Sequence, residues 1–237
     1  MTPNETFGPW LLPYLPLAHQ VLHAAKSQAV AEALNAECRG DPRVVRFVEH
    51  AALPAGEPYE SFIARTGGVP TRNNLHDLFN GVMWLTWPLT KLRLNFLHAQ
   101  RIEKCGSAGP RGALRDMLTV FDENAALLQA PTGLVDALRT RDWQALFIEQ
   151  RALWQRARLV VFGHALMEKL MQPRKAITAH VWIVTALTDG ALAESLTVER
   201  LTARPFLPLP LLGVPGWWAA NEAAGFYDDA EVFRPSR

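Results

Sequence analysis

Apolar residues recur at helical spacing over much of the chain. Leu17 to Cys38 carries alanine and leucine at that period and stops before Arg39-Gly40-Asp41-Pro42. Pro58 opens a short helix, Tyr59 to Thr66, and Gly67-Gly68 closes it. Asn73 or Asn74 caps the next helix, whose Leu78, Phe79, Val82, Met83, Trp84 and Leu85 are apolar all round, as in a buried central helix. Trp87-Pro88 breaks it, and a further helix runs from Pro88 to about Lys104, with Lys91, Asn95 and His98 on one face and Leu89, Leu92 and Phe96 on another. After a Cys105 to Pro110 loop, Leu114, Met117, Leu118, Phe121, Ala125 and Leu128 predict one helix over Arg111 to Gln129. Asp142 starts a strong helix with a stripe from Trp143 to Ala157, which either runs on into Leu159 to Glu168 or breaks near Gly163. Only Val44 to Val48 reads as a strand or extended segment. Ile177 to Val184 is evenly apolar and fits a buried helix or a buried strand equally.

From Arg204 on, Pro205, Pro208, Pro210, Pro215 and Gly216 exclude long helices, and Phe206, Trp217, Trp218, Phe226, Tyr227 and Phe233 require burial. The expected architecture is a mainly α-helical single domain over residues 1–237, with minor β structure and a C-terminal arm, 204–237, packed on the helical body. The 237 residues, 49% apolar and 20% charged, suffice for such a core.

Charge narrows the function. Lys and Arg number 24 against 23 Asp and Glu, so no global field draws nucleic acid, although Arg72, Lys91, Arg93 and Arg101 could line a local basic groove. No uncharged apolar run reaches the roughly 20 residues of a spanning helix, and the proline-broken Trp10 to Pro16 lacks a basic leader. Cys38 and Cys105 form no metal motif and are expected as free thiols in a reducing, cytoplasmic compartment. A small-molecule ligand is compatible with all of this.

The candidate chemistry is histidine and carboxylate. His76-Asp77 stands at the mouth of the apolar helix, His164 and Glu168 are four apart on one face, and His180 lies in an apolar run. If they converge, His76, Asp77, His164, Glu168 and His180 make a nitrogen and oxygen set suited to Zn²⁺, Mn²⁺ or Fe²⁺, with Asp122 and Glu123 as acid or base groups of a hydrolase-like enzyme. Each also has a plain structural reading. Asp77 at the third helical position satisfies free amides, Asp122 and Glu123 belong to a charged face with Arg115 and Asp116, and a histidine in apolar sequence is commonly a hydrogen-bonded core residue. On that reading the protein is a non-enzymatic binding or interaction protein held by a polar network. His19 and His23, four apart on an alanine-rich helix, read as solvated. A looser likeness to a His-Asn-His nuclease, through Glu49-His50 and Asn74, lacks its terminal His or Asn. Triads, phosphate loops and dinucleotide fingerprints are absent.

The phrases Pro70 to Asn80 with Lys91 and Asn95, Arg115-Asp116 with Phe121 to Asn124, Phe162 to Leu166 with Glu168, and Thr178-Ala179-His180 resemble a proteobacterial family catalogued only as a domain of unknown function. Leu212 to Trp217 and Phe226 to Asp229 are similar too. The resemblance implies no activity, cofactor or catalytic residue. At Ala125 the family allows glycine, and hence a tight turn where the period predicts helix.

Overall fold

The computed structural model describes residues 8–38, 45–105 and 112–235. The 105–110 loop expectation falls almost wholly outside them. The chain is mainly helical, with short strands, and divides into two compact units. One, the helical unit, comprises Tyr14–Asp122 and Thr188–Arg204; the other, the sheet unit, comprises the chain up to Pro13, Glu123–Leu187 and the chain from Pro205. No described helix is long and apolar enough to cross a membrane.

In the helical unit the region predicted as one helix from Leu17 to Cys38 is two, α1 (Leu15–Ala24) and α2 (Val30–Glu37). Lys26-Ser27-Gln28 interrupts the apolar period, and Asn73 Oδ1 accepts the Val30 amide at 2.9 Å where the second helix begins. Next, β1 (Arg46–Glu49) is pinned to α2 by Asn35, whose side chain accepts from the Phe47 amide at 2.9 Å and donates to the Phe47 carbonyl at 2.8 Å. After α3 (Tyr59–Thr66), Gly67 adopts φ 67°, the left-handed closure that its sequence foretells. The chain then enters β2 (Gly68–Thr71), parallel to β1.

The buried helix α4 (Leu75–Thr86) is capped by Asn74, whose Oδ1 accepts the Asp77 amide at 2.8 Å. Its Gly81 admits α2: a Cβ there would lie 2.2 Å from Leu34 Cδ1. Pro88 starts α5 (Pro88–Cys105), and its free N-terminal amides are met from a distant segment, since the Asp189 carboxylate accepts from Leu89 N at 2.7 Å and Thr90 N at 2.9 Å.

The predicted Arg111 to Gln129 helix ends early. Helix α6 spans Ala113–Asn124, and the chain turns at once into β3 (Ala125–Gln129). Ala125 to Leu128 are fully buried, and a strand covered on both faces has an unbroken apolar sequence that a helical period can mimic. In the sheet unit α7 (Thr132–Thr140) follows. The strong helix expected from Asp142 is instead a π turn, Ala145–Glu149, and a 3₁₀ stretch, Arg151–Arg156, followed by β4 (Arg158–Val161) and α8 (His164–Lys169). The β-branched Val160-Val161 run favours the strand.

The evenly apolar Ile177 to Val184 is resolved as strand β5 (Thr178–Ile183). Two short helices, α9 (Asp189–Ser195) and α10 (Val198–Thr202), return to the helical unit before β6 (Leu207–Pro210). Strand order is β4-β3-β5-β6, with β3 and β5 parallel and the outer pairs antiparallel. The C-terminal segment thus supplies an edge strand, where prolines at 208 and 210 are tolerated. Beyond it, Tyr227 stacks 5.1 Å from Phe147 and Phe233 lies 5.9 Å from it, giving those aromatics the burial they require.

Candidate functional site

In the sheet unit everything turns on the passage from α6 to β3. Gly163 lies so close to the peptide joining Glu123 to Asn124 that a Cβ would stand 2.4 Å from Asn124 N and 2.5 Å from the Glu123 carbonyl carbon and oxygen. The Phe162 and Gly163 amides both donate to the Ala125 carbonyl, at 3.0 and 2.8 Å. This backbone lock sets His164, the first residue of α8, beside Glu123, with Nε2 3.7 Å from Oε2. The distance is too long for a hydrogen bond. It is close to the roughly 3.4 Å between two ligands of a tetrahedral ion with bonds of about 2.0–2.1 Å. The His164 side chain is buried while that of Glu123 is 39% exposed, so the pair opens to solvent on the carboxylate side.

His180 sits on the same sheet. Register pairs it with Ala125, and its Nδ1 lies 3.0 Å from Asn124 Nδ2. With the amide donating, Nδ1 accepts and Nε2 carries the proton, leaving no lone pair for a metal. Burial, aided by the Lys169 charge, holds the imidazole below its ordinary range and therefore neutral. Glu168 lies at the far end of α8. Among the described residues neither His180 nor Glu168 belongs to a group of three donors able to share an ion.

In the helical unit His76 and Asp77 occupy the first turn of α4. Asp77 is committed to Arg72: Oδ2 accepts from the Arg72 amide at 2.6 Å and Nε at 3.1 Å, and Oδ1 from Nη2 at 2.9 Å. The carboxylate is held by Arg72 ahead of the helix rather than by the free helix amides expected of its position, and its lone pairs are largely spent before any metal could use them.

The shared face of α5 carries a buried polar group. Lys91 is 3% exposed, and its Nζ donates to Asn80 Oδ1 at 2.8 Å and to Asp122 Oδ1. Asn80 Nδ2 in turn donates to the Tyr59 hydroxyl at 3.0 Å, and Asn95 Nδ2 to the Glu60 carbonyl at 3.0 Å. Sequence reading placed Lys91, Asn95 and His98 together but gave Lys91 no partner, because Asp122 lies on another helix.

His98, at the end of that face, is pushed below the ordinary imidazole range by burial; Glu60 and Asp122 oppose the shift, and Arg115 and Lys91 add to it. A histidine neutral in the fold and protonated when unfolded contributes stability above its unfolded pKa of about 6.5, and the contribution is lost as pH falls towards the folded value. Unfolding free energies from urea titrations should therefore drop below pH about 6.5, by up to about 1.4 kcal/mol per pH unit for this group. His98→Asn should flatten that slope; an unchanged slope would contradict the assignment.

Searches of curated proteins and of solved structures find no match. A family model described as a protein of unknown function, DUF3025, matches residues 45–237, a stretch that carries every site residue considered above. The chain belongs to the DUF3025 family.

Proposed function

We propose that this protein is a metal-dependent enzyme of hydrolytic type in which Glu123 and His164 bind a divalent cation. The single observation behind the reading is the Glu123–His164 pair, locked by the Gly163 backbone with a gap suited to an ion. An imidazole and a carboxylate form the donor pair, a composition that suits Zn²⁺, Mn²⁺ or Fe²⁺ and leaves coordination positions for water and substrate. When bound, such a cation supplies a nucleophilic hydroxide and polarises a carbonyl or phosphoryl oxygen.

Asp122 supplies the base. It precedes Glu123 in α6, its side chain is 27% exposed, and Lys91 holds one of its oxygens from the buried side. A carboxylate that is partly open to solvent can accept a proton from a substrate or water. Asp77, Glu168 and His180 are left out of the ligand set, the first and last because their hydrogen bonds occupy the atoms a metal would need.

Elemental analysis of the purified, untagged protein after supplementation with Zn²⁺, Mn²⁺ and Fe²⁺ tests the reading. About one metal per chain is expected, falling more than tenfold in His164→Ala and Glu123→Gln while both remain folded. No metal in the parent protein, with a large stability loss in His164→Ala, would instead support the non-enzymatic reading, in which these groups only fix the packing.

A further inference from the structure

The polar cluster of the helical unit has more hydrogen-bond donors than its own acceptors use. An ammonium has three N–H groups, and the Lys91 bonds to Asn80 and Asp122 account for two. The Tyr59 hydroxyl accepts from Asn80, and burial together with the nearby Asp122 charge drives its ionisation far above the ordinary range, so it keeps its proton to donate. Trp84, 2% exposed, has an indole N–H with no acceptor, and the Lys91 ammonium lies 5.3 Å from the centre of its ring. His98, 6% exposed, has an Nδ1 with no hydrogen-bond partner, 3.7 Å from Glu60. A buried donor left without an acceptor costs about 1–3 kcal/mol, and the Trp84 indole N–H is such a donor, in a ring that stands beside the ammonium. The Glu60 and Asp122 side chains, 28% and 27% exposed, give the cluster an edge open to solvent.

We infer that Tyr59, Trp84, Lys91 and His98 form a second site, which binds the planar oxygen group of a small molecule: a carboxylate or carboxamide. The Trp84 indole and the spare Lys91 proton donate to its oxygens, and the Tyr59 hydroxyl adds a third donor. Charge selects the class. The cations Lys91 and Arg115 are balanced by Asp122 and Glu60, so the site has no surplus to neutralise a phosphate dianion but accepts a neutral or singly charged oxygen group. The inference does not depend on the metal reading and stands if no metal binds.

Indole ¹H–¹⁵N spectra of the full chain, kept in chelator at fixed ionic strength and pH, test it with acetate, acetamide and inorganic phosphate as probes. The Trp84 peak, assigned by its loss in Trp84→Phe, is expected to shift saturably with acetate or acetamide while the other indole peaks stay put. Phosphate should bind at least tenfold more weakly. Tyr59→Phe, which keeps the ring in place, should weaken the shift at least threefold. A response to acetate alone identifies a carboxylate site, and a response to both identifies the shared planar oxygen chemistry. No saturable shift, an equal shift of all indole peaks, or tighter binding of phosphate would overturn the proposal.

Discussion

Gly163→Ala is expected to destabilise the protein by about 3 kcal/mol or more, because the added methyl meets backbone atoms that no rotamer change can move aside. The peptide joining Glu123 to Asn124 lies under the Gly163 Cα, so relief requires the start of α8 to lift away from β3. Two hydrogen bonds to the Ala125 carbonyl are lost or stretched in the process. His164 moves with its backbone, and metal affinity should fall more than tenfold even where the variant remains folded. Gly190→Ala supplies the control: its position in α9 has open space for a methyl and no positive φ. Removing a helical glycine there should raise stability by about 0.5–1 kcal/mol. Urea unfolding of both variants checks the contrast, and equal midpoints would show that the Gly163 approach is not a constraint.

The second large effect is asymmetric. Asp122→Asn removes the anion facing an ammonium that is 3% exposed, and Lys91 then remains a buried charge with only neutral amide oxygens as acceptors. The loss should be about 3 kcal/mol, at the lower end of the range for breaking a buried pair because Asp122 itself reaches solvent. Lys91→Met leaves the opposite remainder. A carboxylate that is 27% exposed stays partly hydrated, and methionine fills most of the vacated volume, so about 1–2 kcal/mol is expected. The double variant should be more stable than Asp122→Asn alone, since no unpaired ammonium remains. A double variant whose loss equals the sum of the two single losses would mean that the pair is energetically uncoupled.

Local signals in the chain were legible and nonlocal ones were not. Asn74 with Asp77, Pro58 with Gly67-Gly68 and Trp87-Pro88 each act within a few residues, so the boundaries of α3, α4 and α5 follow from chemistry that the sequence displays directly. The α6-to-β3 switch is different. Ala125 and Leu128 continue the helical period of Leu114 to Phe121, and what overrides it is pairing with β4 and β5, which lie far along the chain. The only hint was the family resemblance allowing glycine at that position. Likewise α7 carries its own apolar spacing in Leu134, Val135 and Leu138, yet it is short and went unread.

The candidate site divides along the same line. Residue types pointed to His164 as a ligand, but assigned Glu123 to catalysis rather than to an ion. Its relation to His164 depends on Gly163, whose contact is made across the sheet rather than along the sequence. Asp77 and His180, chosen for their type, are occupied by Arg72 and Asn124, partners that spacing alone does not reveal. Lys91 was seen as a face of α5, while its bond to Asp122 required the tertiary fold.

The central claim is that Glu123 and His164 ligate one ion, and Co²⁺ substitution tests it most directly. Visible absorption of the Co²⁺-loaded protein is predicted to show d–d bands that saturate at one ion per chain. Those bands should shift and weaken in His164→Ala and in Glu123→Gln, with the folded content of each variant verified by circular dichroism. Saturating bands that are identical in the parent and in both variants would place the ion elsewhere, and no bands at all would remove the metal centre from this protein.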